Sequence, residues 1–264
     1  MRYALCLEYH GSGFFGWQTQ QQTPTVQECV ESALARVADH PVSVTCAGRT
    51  DTGVHSLGQV VHFDSDVERT ERSWILGCNS HLQTGISALW ARRVDEEFNA
   101  RFSAESRSYR YHILNRWVRP AVEKELVCWI RVALDESAMN KAAGHLLGEH
   151  DFTAFRAAGC QANHAVRDIH KIQITRTGNY LDLDITANGF LYHMVRNLAG
   201  SLIEVGNGNR NHSWVRDLLE NRDRDLAGVT APAAGLYFLG PKYPDRYGLP
   251  RFPFNAFPRG QDQS

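Results

Sequence analysis

Two periodicities alternate along this chain, and the alternation runs twice. In the first run, segments 3–9, 42–47, 59–64 and 86–94 read as strands, and 26–39 and 72–79 as helices. In the second, strands fall at 108–114, 166–176, 181–187 and 236–240, and helices at 136–147, 190–205 and 213–220. A strand with period two buries one face, and a helix with period 3.6 buries one stripe. Hairpin-like strand pairs interleaved with helices restrict the chain to an α+β fold, with helices on one face of a mainly antiparallel sheet. Local signals agree. Thr25 and Glu28 form a capping-box pair ahead of the stripe Val26, Val30, Ala33, Leu34 and Val37. Asp135 precedes the helix at 136, and Thr177-Gly178-Asn179 supplies a turn between two strands.

At 264 residues the chain suits one domain or two fused halves. The expected division is an N-terminal half at 1–104, a C-terminal half at 105–247 and a Pro-rich tail at 248–264. Gln18-Thr19-Gln20-Gln21-Gln22 reads as an exposed loop. No apolar stretch approaches the roughly 18 residues needed to span a bilayer, and the apolar run at the start is too short for a signal peptide. The six cysteines are scattered, without a C-x-x-C pair, as buried thiols of a reducing cytoplasm would be. A net charge of −1 excludes a uniformly basic nucleic-acid binder but not a local basic cleft. Lysine stands only at 124, 141, 171 and 242 among 28 basic residues. Arginine therefore carries most of the positive charge, and it suits bidentate phosphate contact and stacking on bases.

Polar chemistry concentrates in Ala47-Gly48-Arg49-Thr50-Asp51-Thr52-Gly53-Val54-His55. Val42, Val44 and Cys46 alternate with Ser43 and Thr45 on one side, and Gln59-Val60-Val61-His62-Phe63 follows on the other. Gly48, Gly53 and Gly58 permit close backbone approaches. Taken alone, Asp51 is a turn former that bonds its own backbone. A simple hairpin, however, has no need for Arg49, Thr50, Thr52 and His55 beside it.

This nonapeptide closely resembles the A-G-R-T-D-x-G-V-H motif of the tRNA pseudouridine synthase A family. The resemblance extends to Leu7 through Gln18, to Phe98-Asn99-Ala100-Arg101-Phe102-Ser103-Ala104 and to Ser108-Tyr109-Arg110-Tyr111. It continues through Asp151-Phe152-Thr153-Ala154-Phe155, Phe190 to Asn197 and Gly235-Leu236-Tyr237, so that it covers nearly everything from 3 to 247. It implies two ferredoxin-like α/β halves with a joined sheet and an active cleft between them. It also implies isomerisation of uridine to pseudouridine at tRNA positions 38, 39 and 40 of the anticodon stem-loop. Neither cofactor nor metal is expected, and a cytoplasmic homodimer in which one tRNA spans both subunits is.

That reaction breaks a glycosidic C–N bond and rejoins the base through carbon. It needs one nucleophilic carboxylate and a base flipped out of its stack, whereas a glycosidase flanks its bond with two carboxylates. By resemblance Asp51 is the nucleophile, and Arg196 pairs with it to keep it ionised and oriented. In sequence Arg196 has no acidic neighbour one helical turn away, so it is either solvated or paired across the fold. Tyr109 matches the tyrosine that stacks on the target base, although alternation with Tyr111 and Ile113 also fits core packing. Arg49 matches the residue that fills the space of the flipped base, and by itself it equally suits a phosphate anchor. Leu236 matches an apolar wall of the base pocket, or an ordinary core leucine. Residues Phe98, Asn99, Ala100, Arg101 and Phe102, with Gly159, Cys160, Gln161, Ala162 and Asn163, occupy places where the family touches tRNA. Three rival readings are a non-catalytic RNA-binding protein, a sister synthase acting on another RNA, and a metal-dependent hydrolase using Asp51 and His55.

Overall fold

A computed structural model describes residues 1–21 and 23–250. Strand β1 (Arg2–Tyr9), helix α1 (Val26–Ala38), strands β2 (Thr45–Cys46) and β3 (His55–Asp64), helix α2 (Glu71–His81) and strand β4 (Ile86–Val94) form a first βαββαβ unit. The second unit is built from β5 (Ser106–Asn115), α3 (Glu136–Gly144), β8 (Val166–Thr177), β9 (Tyr180–Ala187), α4 (Met194–Gly206) and β10 (Leu236–Lys242). Strands β6 (Cys128–Ile130) and β7 (Gly148–Asp151) and helix α5 (Trp214–Asn221) are additions to it. Both units show the ferredoxin-like order, β4-β1-β3-β2 and β10-β5-β9-β8, within one ten-stranded sheet. The proposed boundary at 104/105 falls in the segment joining β4 to β5.

The join between the units determines where the site lies. Strand β3 pairs antiparallel with β2 near its C-terminal end, through Thr45↔His62 and Cys46↔Val61. Near its N-terminal end the same strand pairs in parallel with β10, through Tyr237↔His55 and Phe238↔Ser56. The β2–β3 loop, 47–54, therefore emerges at the seam. A bulge in β3 sets what faces the helices. Leu7 lies opposite Gln59 but Tyr9 lies opposite Ser56, so two residues of β3 oppose one of β1. That extra residue brings Tyr9, Gln59, Ser56, Phe238 and Tyr109 to one face. Helices α1 and α2 cover this face in the first unit, and α3 and α4 in the second. On the reverse face of the first unit, Ala4, Cys6 and Val60 share a core with Phe98 and Ala100.

Most expected elements form, and the departures are local. The strand expected at 42–47 contracts to Thr45–Cys46, because β10 rather than β2 takes the other end of β3. The strand expected at 59–64 begins at His55, extended through the bulge. The helix expected at 190–205 begins only at Met194, because His193 takes a left-handed φ of 58°. The helix expected at 136–147 ends at Gly144. Thr25 accepts from Glu28 N at 3.4 Å and Asp135 from Ala138 N at 3.0 Å, so both N-caps form. Gln18, Thr19, Gln20 and Gln21 are exposed, while Gln22 and tail residues 251–264 lie outside the described residues. Among the described residues, no helix is long and apolar enough to cross a membrane. All six cysteines are free, and burial pushes the thiols of Cys6, Cys46 and Cys78 up to about 12.

Candidate active site

Backbone contacts fix the 47–54 loop before any side chain acts. A Cβ on Gly11 would lie 2.0 Å from Val54 O, and one on Gly16, where φ is +82°, would lie 2.9 Å from Thr50 O. Only glycine lets the 10–17 segment pass this close. Trp17 N donates to Thr50 O at 3.0 Å, and Val54 N to Asp51 O at 3.1 Å. The Tyr9 hydroxyl bonds Thr50 Oγ1 at 2.7 Å. Gln59 brackets the loop entry, its Nε2 donating to Gly48 O and its Oε1 accepting from Gly48 N. Arg107 anchors the same end. Its guanidinium donates to Ala47 O at 3.2 Å, to Ala104 O at 3.2 Å and to Asn188 O at 3.0 Å, and it also reaches Arg101 O.

The loop presents Asp51 to helix α4. Arg196 Nη1 lies 3.4 Å from Asp51 Oδ2, and His193 Nε2 lies 3.3 Å from the same oxygen. Arg196 is itself held, with Nε donating to Ala231 O at 2.8 Å and its carbonyl accepting from Ala231 N at 3.1 Å. The strap carrying Ala231 runs hard against α4, since a Cβ on Gly200 would lie 1.9 Å from Val229 O. Of the two options left open for Arg196, the structure takes pairing across the fold.

Tyr109 lies on β5 and is 9% exposed, its ring centred 4.9 Å from Phe238 and 5.0 Å from Phe190. Burial raises its pKa, with Tyr9 and Asp51 adding to the effect, and among the described residues its hydroxyl has no hydrogen-bond partner. Tyr111 is core, its hydroxyl donating to Pro232 O at 2.8 Å. Leu236 is buried in the same core, opposite Tyr111 in the β10–β5 register. Arg49 is exposed and donates to Gln161 Oε1 at 3.3 Å, which brings the 159–163 loop to the Asp51 loop. Cys160 and Ala162 offer their carbonyls to Arg156, and Gly159 and Asn163 are exposed. The 98–102 stretch divides. Phe98 and Ala100 are completely buried on the reverse face of the sheet, so their side chains cannot reach an RNA. Arg101 is exposed, Phe102 is 77% exposed, and Asn99 is half-buried, accepting from Arg101 N and Phe102 N.

His55 is no companion of Asp51. It is buried, its Nδ1 accepting from Gly11 N at 3.1 Å and its Nε2 donating to Glu125 O at 2.8 Å. With both ring nitrogens engaged, it has none left for a metal. Sequence reasoning missed His193, Gln59, Tyr9 and Arg107. The available signal for His193 was its spacing, three residues before Arg196.

Comparison with known proteins finds relatives along nearly the whole chain. The sequence profile described as tRNA pseudouridine synthase matches residues 5–103 and 142–244. The tRNA pseudouridine synthase A of Shewanella woodyi is 51% identical over 251 residues, covering 95% of this chain and 96% of its own. That of Stenotrophomonas maltophilia (strain R551-3) is 52% identical, covering 95% and 98%. That of Idiomarina loihiensis is 50% identical over 253 residues, covering 96% and 97%.

Proposed function

Because this chain belongs to the tRNA pseudouridine synthase family and is an isomerase acting on tRNA, we propose that Asp51 is its nucleophile. The target we infer is uridine at positions 38, 39 and 40 of the anticodon stem-loop. One observation carries the assignment. Arg196, from a helix of the second unit, meets Asp51, from a loop of the first, at 3.4 Å across the seam. A guanidinium there orients the carboxylate, and a covalent adduct through it divides a difficult bond exchange into two easier steps.

The neighbours support roles around a flipped base. Tyr109 offers its ring as a platform. Burial raises the pKa of its hydroxyl, which favours stacking over proton abstraction near neutral pH. Leu236 walls the pocket, and Arg49, exposed beside Asp51, fills the space the base leaves. Arg101, Phe102 and Asn99, with the 159–163 loop, bear on the tRNA backbone. The protein acts as a homodimer. The exposed apolar residues Trp117, Val118 and Val122 in one surface segment support this, since clustered apolar exposure marks an interaction site.

The test is pseudouridine formation on an unmodified tRNA transcript with uridines at 38, 39 and 40, with no metal added. Wild type should form product at those positions. Asp51→Asn should form none, while tRNA affinity stays within a few-fold. Equal loss of binding and turnover would make Asp51 a docking or folding residue instead.

A further inference from the structure

His193 combines an unusual backbone with an unusual contact. It precedes the first turn of α4 at φ 58° and ψ 7°, a left-handed conformation that residues with a Cβ adopt rarely. Its Nε2 lies 3.3 Å from Asp51 Oδ2 and 3.4 Å from Arg196 Nη1. Arg196 Nη1 lies 3.4 Å from the same Oδ2. Three polar atoms thus close a triangle on one carboxylate oxygen, while among the described residues no hydrogen bond or ion pair reaches Oδ1. A guanidinium only donates, so the imidazole nitrogen that faces Arg196 Nη1 accepts from it. Burial lowers the pKa of His193, with Arg196 and Arg224 adding to the effect and Asp51 opposing it. The ring is therefore a neutral acceptor that steadies the guanidinium and leaves the charge pairing to it.

We propose that His193 is a positioning residue: by accepting from Arg196 Nη1 it holds the guanidinium on Asp51 Oδ2 and so presents Oδ1 to the uridine. This rests on Asp51 being the nucleophile. A guanidinium anchored only at Nε still swings its Nη1 between the two carboxylate oxygens, whereas a further acceptor on Nη1 keeps it on one of them. Arg196 keeps its separate anchor on Ala231 O at 2.8 Å, so removal of the imidazole loosens Nη1, and with it the aspartate, without releasing the arginine from the strap.

His193→Gly tests this, because glycine accepts the left-handed backbone and deletes only the ring. Single-turnover pseudouridine formation should slow roughly ten- to hundredfold, the scale of misplacing a reacting group by an ångström or less. Affinity for tRNA and the melting temperature should hold, and added imidazole should restore part of the lost rate. His193→Asn also tolerates the conformation and is too short to reach Arg196 Nη1, so it should be slow as well and provides a second folded variant. A wild-type rate in either variant overturns the proposal. So does a loss that imidazole leaves untouched, or a loss of tRNA affinity that matches the loss of rate. Asp51→Asn, run alongside, should stay inactive with and without imidazole. Activity there would overturn the nucleophile assignment itself.

Discussion

His55 sits within four residues of the proposed nucleophile, yet its work is structural and leaves a mark on pH behaviour. It is 1% exposed, stacks on Tyr237 at 4.7 Å, and ties Gly11 to Glu125. Burial lowers its pKa from 6.5 to about 4. Between those values the unfolded chain binds a proton that the folded one refuses, so stability falls as pH falls. The contribution is fully present above pH 6.5 and is lost progressively towards pH 4. At most it amounts to about 3 kcal/mol. His62 and His193, both shifted down chiefly by burial, act in the same direction. Urea unfolding near pH 7 and near pH 5 should show wild type losing stability, and His55→Gln, though less stable at pH 7, losing less over that interval. Identical losses would show that His55 takes no part. At this scale the sequence revealed only part of the site. The crowding of polar groups around Asp51 was visible, but its pairing with Arg196, 145 residues away, left no local trace and rested on family resemblance. His193 escaped notice because the helical pattern was extended back to residue 190, which made it an interior neighbour rather than a left-handed terminus.

Elements position the loop by backbone proximity, and two glycines of one segment separate that effect from loop flexibility. A Cβ on Gly11 would lie 2.0 Å from Val54 O, whereas one on Gly13 meets nothing within 4 Å. Gly11→Ala should therefore displace the 47–54 loop and lower turnover by roughly a hundredfold, the cost of a small misplacement. Gly13→Ala should turn over like wild type. Equal activity in the two variants would mean that the loop is not held by this contact. Strands with strong alternation were legible, and β4 formed at the expected residues, Ile86–Val94. The three residues of β6 and four of β7 are too few to establish a period, and they form because β5 and β8 offer edges to pair with. Likewise β2 looked longer from its apolar pattern than the available edge of β3 allows. Its Val42 and Val44 are buried under the helices without joining the sheet. Arg107 had no motif that marked it before the structure placed it among four carbonyls.

For the whole molecule, a net charge of −1 means that tRNA binding depends on where the arginines lie. Arg49 is exposed within the Asp51 loop and Arg101 in the 98–102 stretch, and Arg107 links the loop entry to that stretch through Ala47 O and Arg101 O. Binding should weaken with salt by roughly 0.7–0.9 logarithmic units per decade for each phosphate contact. A flat salt response would exclude a charged cleft. Sedimentation of the free protein and of its tRNA complex should find two chains in each, and a monomer in both would remove the homodimer. The seam has a further consequence during synthesis. Asp51 is translated early, but Arg196 follows 145 residues later, and β10, which completes the seam, is translated later still. A nascent chain on the ribosome thus carries the proposed nucleophile before the residues that contact it across the seam. With Asp51 as the proposed nucleophile, the order of translation places activity after α4 and β10 are made.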